Sequence, residues 1–268
     1  MDFLRNYDGA TEEMITLHLD EYKSCKPVSI TGDEGVFRKL IGSLVDQRSV
    51  PNTLEDISRF GDVLHGFDPI AVIAEHESWE SLFDRFNTFT PKPKGPFKKD
   101  SSKDTWVKFS KGVLDSARFL SRFNDSIKQY EEFLDRFLIN EYSRLALALL
   151  LAQEIHFMGF ALACNFLKES TESGAYVKPD VHIIDICQGL GISQNGANQY
   201  TVFKDVIRFA ESIGEAPYRV DKAFWLIGSR KFYLSFPEDQ QVRKHLQCPN
   251  TDTKKWFLES VKGQLDII

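Results

Sequence analysis

The spacing of apolar residues constrains the fold of this chain more than any other feature of its sequence. In the segment GVFRKLIGSLV, apolar side chains recur at steps of three and four residues, which places them on one face of an α-helix. These side chains are Val36, Phe37, Leu40, Ile41, Leu44 and Val45. The segments 107–120 and 133–138 repeat the spacing, whereas the alternation typical of strands is scarce. We therefore predict an all-α protein.

Residues that commonly cap helix N-termini precede many of the amphipathic stretches. Together with the short connections between these stretches, they predict roughly a dozen helices. The candidate caps are Asp33, Asn52, Asp68, Ser78, Ser102, Asn124 and Asn140.

Composition and charge exclude several classes of protein. The 268 residues are 42% hydrophobic and 27% charged, which is ordinary for a globular protein. A net charge of −6 argues against a chain that coats nucleic acid or anionic membrane everywhere, although a local basic patch can still bind phosphate. The most apolar run, 145–152, is far shorter than the roughly 20 residues that cross a bilayer. We expect a cytoplasmic protein, nucleoid-associated if bacterial or archaeal, with no membrane partner.

Neither the cysteines nor the histidines show the spacing of a metal site. We therefore expect reduced, structural thiols, no cofactor and no metal. The cysteines are Cys25, Cys164, Cys187 and Cys248. The histidines are His18, His65, His76, His156, His182 and His245.

The segment TPKPKGPFKKDSSK, residues 90–103, interrupts the helical pattern. It carries three prolines, one glycine and five lysines against one aspartate, which predicts an exposed loop. The loop is either a mobile basic segment that contacts phosphates or a solvated connector.

Residues 145–169 predict a helix, a tight turn and a second helix. The first helix covers 145–154, the turn is Phe157-Met158-Gly159, and the second helix covers 160–169. We expect Gly159 to take the turn conformation, because glycine tolerates positive φ. The N–H groups that open the second helix could bind an anion such as a DNA phosphate, although a plain helical hairpin would have the same sequence.

The stretch VKPDVHIID predicts that Asp180 is the N-cap of a further helix, because Pro179 precedes it and an apolar run follows. Asp180 is either only a cap or a carboxylate held for chemistry. A fixed carboxylate could stabilise the oxocarbenium-like transition state in which a nucleoside C1′–N bond is cleaved, and could polarise the attacking water.

The hairpin and Asp180 together resemble the helix-hairpin-helix DNA glycosylase superfamily. The hairpin pattern of that family is Leu-Pro-Gly-x-Gly-x-x-x-Ala, in which Gly159 and Ala163 match the second glycine and the alanine. Asp180 and His182 match the acid and the histidine of its Val-Asp-x-His-Val segment. The likeness covers roughly residues 33–228, while His156 and Phe157 replace the proline and the first glycine.

The resemblance implies a site for each part of a DNA substrate. Asp180 would be catalytic, and Ala161, where bifunctional members have a lysine, would make the enzyme monofunctional. The residues implied to bind the DNA backbone are Met158, Gly159, Phe160 and Ala161. Those implied to form the base pocket or intercalate are Gln47, Phe160 and Trp225. The candidate phosphate contacts, in a locally basic segment, are Lys222, Arg230 and Lys231.

The family also implies two helical lobes with the hairpin and Asp180 beside the cleft between them. One lobe would be a helical barrel over 33–174, with the hairpin at about 145–170, and the other would combine 1–32 with 175–268. We expect a monomeric base-excision glycosylase that hydrolyses the N-glycosidic bond of a flipped, damaged or modified base in double-stranded DNA. The alternatives are a non-catalytic helix-hairpin-helix DNA-binding module and a helical interaction protein.

Overall fold

The computed structural model describes residues 11–45, 56–229, 255, 257–259 and 261. Every regular element in these ranges is helical and none is a strand, which confirms the all-α prediction. Short 3₁₀-helices cover Glu21–Ser24 and Ile57–Phe60. The α-helices in chain order are α1 (Glu12–Asp20), α2 (Val36–Val45), α3 (Pro69–Glu75), α4 (Trp79–Asn87), α5 (Thr105–Ser121), α6 (Ile127–Asp135), α7 (Glu141–Glu154), α8 (Phe160–Ser170), α9 (Val181–Gly189), α10 (Gln199–Ser212) and α11 (Pro217–Ser229).

The chain divides into two compact units. One, here called the hairpin unit, is continuous and covers Lys26–Ser170. The other, here called the Asp180 unit, joins Met1–Cys25 to Thr171–Ile268. The predicted lobes, 33–174 and 1–32 with 175–268, stay a prediction.

Helix α5 is the centre of the hairpin unit, where it packs against α2, α3 and α4. Its Trp106 is 0% exposed and is surrounded by aromatic rings whose centroids lie 4.7 to 6.0 Å from its own. Such offset and edge-to-face pairs stabilise a core beyond the area they bury. The rings belong to Phe60, Phe86, Phe97 and Phe109.

The predicted caps are partly correct. Asp68 accepts hydrogen bonds from the N–H groups of Ile70 and Ala71, and Asn140 caps α7 through a reciprocal pair with Ser143. Ser78 precedes α4 without a side-chain bond. Two predictions are wrong by two residues, because Asp104 rather than Ser102 caps α5 and Ser126 rather than Asn124 caps α6. Asn52 lies outside the described residues.

The lysine-rich segment 90–103 is a loop, as predicted, and its lysines are exposed. Phe97 stacks on Trp106 with ring centroids 4.7 Å apart, and the indole N–H of Trp106 donates to the carbonyl of Lys94 at 3.0 Å. Lys99 pairs with Asp84 at 2.6 Å. The loop is therefore anchored to the aromatic core near its middle.

In the Asp180 unit, α11 packs against α1, α9 and α10. The Lys222 Nζ lies 2.8 Å from the Glu21 Oε2, to which the Tyr218 hydroxyl also donates at 3.3 Å. Burial raises the pKa of Glu21, but Lys222 and the hydrogen bonds outweigh this effect and hold that pKa below its ordinary value of 4.5. The Glu21–Lys222 pair therefore ties the chain after α1 to α11.

Burial shifts the pKa values of Cys187 and His76 in the direction that favours their neutral forms. Burial, with Asp221 and Asp205 acting in the same direction, raises the pKa of the Cys187 thiol to about 12. Burial also lowers the pKa of His76, and this effect outweighs the opposing influence of Glu75. None of the described helices combines the length and apolar character that a membrane span requires.

Candidate functional site

The predicted hairpin is present between the end of α7 at Glu154 and the start of α8 at Phe160. The prediction that Gly159 takes positive φ is wrong. Phe157 does so instead, with φ of 71°, in the position that aligns with the first glycine of the family pattern. A non-glycine residue in this region costs on the order of 1–3 kcal/mol, so the surrounding structure must impose it.

One face of α5 fixes this turn. A Cβ atom placed on Gly112 would lie 2.6 Å from the carbonyl oxygen of His156 and 2.9 Å from the Leu44 Cδ1, so only glycine allows this approach. Asp115, almost one helical turn further on, accepts the backbone N–H of His156 at 3.1 Å and lies 2.6 Å from its Nδ1. The residue before Phe157 is therefore held by both its backbone and its side chain.

The same face of α5 brings a positive charge to the turn. The Lys108 Nζ lies 5.8 Å from the centre of the Phe157 ring, within the range of a cation–π interaction. Sequence analysis did not identify Lys108, because it lies far from the hairpin along the chain. Its spacing from Gly112 and Asp115, at i, i+4 and i+7, was the available sign that the three share a helix face.

The turn exposes backbone donors beside an open depression of about 340 Å³. The N–H groups of Gly159 and Ala161 have no protein acceptor among the described residues, as expected for the first turn of a helix. The side chains of Met158 and Phe160 point into the core, with Phe160 only 5% exposed. The depression is lined by Ala152, Gln153, Ile155, His156, Phe157, Met158 and Gly159.

Asp180 is the N-cap of α9, as predicted. Its Oδ1 accepts hydrogen bonds from the N–H groups of His182 at 2.9 Å and Ile183 at 3.2 Å. Its Oδ2 has no hydrogen-bond partner in the described part of the chain, and the residue is half-buried. One oxygen is thus committed to the helix and the other remains available.

The segment before Asp180 is anchored to α11. The N–H of Lys178 donates at 2.6 Å to the Oδ1 of Asp221, a carboxylate that is only 1% exposed. Further upstream, the carbonyl of Gly174 accepts the N–H of Tyr218 at 2.8 Å. Gly174 itself has φ of 60°, and a Cβ there would lie 2.8 Å from the Tyr22 ring. The backbone path to Asp180 is therefore fixed at two points on α11.

His182 packs against the same helix. A Cβ placed on Gly228 of α11 would lie 2.7 Å from the His182 Cβ and 3.0 Å from its Cγ. This close approach packs α9 against α11 at Gly228. Asp221 holds the segment before α9, and Gly228 lets α9 approach α11 closely.

The remaining predicted residues have different environments. Trp225 is half-buried, with the Lys222 Nζ 5.5 Å from its ring centre. Lys222 is largely buried and paired with Glu21, which commits its charge within the protein. Phe160 contributes to the core, so its burial favours a packing role over stacking on a base. Gln47, Arg230 and Lys231 lie outside the described residues.

The hairpin belongs to one compact unit and Asp180 belongs to the other. Their predicted position beside a common cleft stays a prediction.

No protein-family model, no curated protein and no solved structure matches this chain.

Proposed function

We propose that this protein is a monofunctional DNA N-glycosylase that removes a damaged or modified base from double-stranded DNA. The observation that carries the proposal is the geometry of Asp180. Two backbone N–H groups fix one carboxylate oxygen, and the other oxygen has no hydrogen-bond partner among the described residues. Such a carboxylate is preorganised, so it needs to move little when positive charge develops near it.

In the proposed reaction the C1′–N bond of a flipped nucleotide breaks, and its electron pair leaves with the base. The deoxyribose then carries oxocarbenium character, which the Asp180 carboxylate stabilises. Water adds to C1′, and its proton passes to Asp180 or to the departing base. The products are the base and an intact strand with an abasic sugar.

The hairpin would bind the DNA backbone. This role is supported by the backbone N–H donors of Gly159 and Ala161 and by the Lys108 ammonium group beside Phe157. A phosphate oxygen at this turn would accept backbone N–H groups and gain from the dipole of α8. Because the contacts go to phosphate, this part of the site would bind without regard to sequence.

Ala161 supports hydrolysis without strand cleavage. At this position a lysine amine would attack C1′ and form a Schiff base, and alanine offers no nucleophile. Borohydride reduction during the reaction should therefore trap no covalent adduct with DNA. A robust adduct would contradict the monofunctional assignment.

A non-catalytic DNA-binding module is the second candidate. It is favoured by the completeness of the Asp180 cap, since capping α9 already explains an aspartate at this position. In that case the hairpin would still bind phosphate, and the unpartnered oxygen of Asp180 would only contact solvent.

An incision assay separates the two candidates. The wild type and an Asp180→Asn variant are incubated with duplexes that carry a panel of damaged or modified bases, and abasic sites are cleaved with alkali. Asparagine caps a helix about as well as aspartate, so the variant keeps α9 but loses the negative charge. We expect cleavage of at least one duplex by the wild type and a loss of about 100-fold or more in the variant.

Asp68→Asn is the matched control. The Oδ1 of Asp68 accepts two N–H groups at the start of α3, at 2.8 and 3.1 Å, in the same geometry as Asp180. Its activity should equal that of the wild type. Equal activity of Asp180→Asn would exclude the catalytic role of Asp180. Binding of every duplex without cleavage of any would exclude the glycosylase and leave the binding module.

A further inference from the structure

Two histidines and a glutamate meet at the end of α3 in the hairpin unit. Glu75 is the last residue of α3, His76 follows it, and His65 lies on the turn before the helix. One ligand atom from each residue lies within 4.8 Å of the other two. Imidazole and carboxylate together form the donor set of many zinc sites.

His76 supplies the observation that points to a ligand. The residue is 2% exposed, and its Nδ1 lies 2.9 Å from the Ser81 Oγ. Its buried Nε2 has no hydrogen-bond partner, and the Glu75 Oε1 faces it at 3.9 Å. A buried polar atom left without a partner costs on the order of 1–3 kcal/mol, which a bound cation would offset. In the tautomer whose Nδ1–H donates a hydrogen bond to the Ser81 Oγ, the Nε2 carries a lone pair that can bind a cation.

The other two ligands are reachable from solvent. The side chain of His65 is 33% exposed and that of Glu75 is 45% exposed, so an ion can enter without unfolding the unit. The His65 Nε2 contacts the Glu75 Oε2, which places the carboxylate between the two imidazole rings. Thus His65, Glu75 and His76 form a partly open cluster with one deeply buried member.

The turn that presents His65 is conformationally restricted. His65, Gly66 and Phe67 have consecutive positive φ values of 50°, 63° and 62°. The N–H of Gly66 donates to the Gly61 carbonyl at 2.8 Å, and the Phe67 carbonyl accepts the N–H of Gly32 at 3.3 Å. The His65 side chain is therefore presented by a fixed backbone rather than by a flexible loop.

We propose that His65, Glu75 and His76 bind a Zn²⁺ ion. The ion replaces the direct contact between the His65 Nε2 and the Glu75 carboxylate and takes the Nε2 lone pair of His76. Zinc–ligand distances in proteins are about 2.0–2.2 Å, and the three ligand atoms already lie within 4.8 Å of one another. Ser81 orients the His76 ring as an outer hydrogen-bond partner, and water completes the tetrahedron. The ion cross-links the turn at 65–67 to the end of α3.

Sequence spacing did not predict this site. His65 and His76 are eleven residues apart, and the strained turn between the 3₁₀-helix and α3 is what brings their rings together. The site is independent of the proposed glycosylase activity, because none of its residues is assigned to DNA binding or catalysis. Its test therefore needs no DNA.

The test uses the full-length protein without an affinity tag, stripped of metal by a chelator. Zn²⁺ is titrated in competition with a chromophoric chelator, for the wild type and for His65→Gln, Glu75→Gln and Glu77→Gln. The first two changes remove a partly exposed ligand and leave His76 in the core. Glu77→Gln is the control, because it removes the same charge from an exposed residue just beyond the cluster.

We expect about one equivalent of Zn²⁺ to bind to the wild type and to Glu77→Gln, and at least about tenfold weaker binding to the two ligand variants. Zn²⁺ should also raise the thermal midpoint of the wild type more than that of Glu75→Gln. Substituted Co²⁺ should show tetrahedral absorption without a thiolate charge-transfer band, which excludes the cysteines as ligands. Absence of saturable binding, or equal affinity in all four proteins, would overturn the proposal.

Discussion

The hairpin turn and the Asp180 cap each fix a short stretch of backbone, but they are stabilised in different ways. The Oδ1 of Asp180 binds N–H groups two and three residues ahead, so most of the motif is local. The turn at Phe157 depends on Gly112 and Asp115, which are more than 40 residues away in the chain. The turn should therefore be more sensitive to changes in a neighbouring helix.

The comparison also explains how a phenylalanine can occupy the hairpin turn. Phe157 takes a positive φ, which glycine adopts more readily than other residues, and the contacts of His156 with α5 hold it there. The backbone conformation is thus maintained by tertiary contacts although the residue preference is lost. Asp180 has the extended backbone conformation that is usual for an aspartate at a helix N-cap. Distant contacts are therefore not needed to impose that conformation.

Gly112→Ala should have the largest effect on this comparison. The added Cβ would lie 2.6 Å from the His156 carbonyl and must displace the turn. Alanine is favoured over glycine in a helix by up to about 1 kcal/mol, but overpacking against backbone should give a net loss of about 2–3 kcal/mol. Urea unfolding of the full-length protein measures this loss.

Gly42→Ala in α2 is the matched control for that experiment. The nearest atom to its new Cβ is the Arg38 Nη1 at 3.6 Å, an ordinary contact with a flexible side chain. This variant should be as stable as the wild type or gain up to about 1 kcal/mol. If Gly112→Ala is equally stable, this result would contradict the close approach of α5 to the turn.

Asp221→Ala tests one of the two distant contacts that hold the segment before Asp180. The variant leaves the Lys178 N–H without its acceptor, and we expect a loss of about 1–2 kcal/mol. Amide exchange at Lys178 should accelerate, whereas Glu172→Ala, a change in the exposed loop after α8, should leave it unchanged. Unchanged exchange in Asp221→Ala would show that the hydrogen bond between Lys178 and Asp221 does not hold the Asp180 segment.

Phe157→Gly and Phe157→Ala isolate the backbone strain in the turn. Both remove the ring and its contact with Lys108, but only glycine accepts φ of 71° without steric cost. The glycine variant should be the more stable of the two by about 1 kcal/mol, even though glycine loses more entropy on folding. Thermal unfolding of the pair decides this, and an alanine variant of equal or greater stability would show that the turn is not strained.

The parts of the molecule that sequence analysis predicted correctly depend on local interactions. Helix α8 begins at Phe160 as predicted, and Asp180 caps α9, because proline and an apolar run restrict the chain on either side. The cap positions at Ser102 and Asn124 were wrong by two residues, since Asp104 and Ser126 compete for the same role nearby. Boundary errors of this kind arise where several residues can form the same hydrogen bond.

The parts that sequence analysis missed depend on contacts between distant segments. Lys108 and Asp115 reach the turn only because α5 crosses it, and no local pattern encodes that crossing. The prediction of positive φ at Gly159 used residue preference alone, whereas tertiary contacts impose this conformation on Phe157. Residue preferences are a weak guide wherever a neighbouring helix determines the backbone path.

The smallest expected effect concerns pH and the Glu21–Lys222 pair, which ties the chain after α1 to the helix that anchors the Asp180 segment. Because the folded pKa of Glu21 lies below 4.5, its ionised form stabilises the folded state at neutral pH. This contribution is complete above pH 4.5 and is lost as the pH falls through the folded pKa. The wild type should therefore exceed Glu21→Gln in stability at pH 7, and the difference should shrink on acidification below pH 4.5. Unfolding midpoints measured across this range, with Glu172→Gln as the charge-matched control, test the prediction, and a difference that grows on acidification would contradict it.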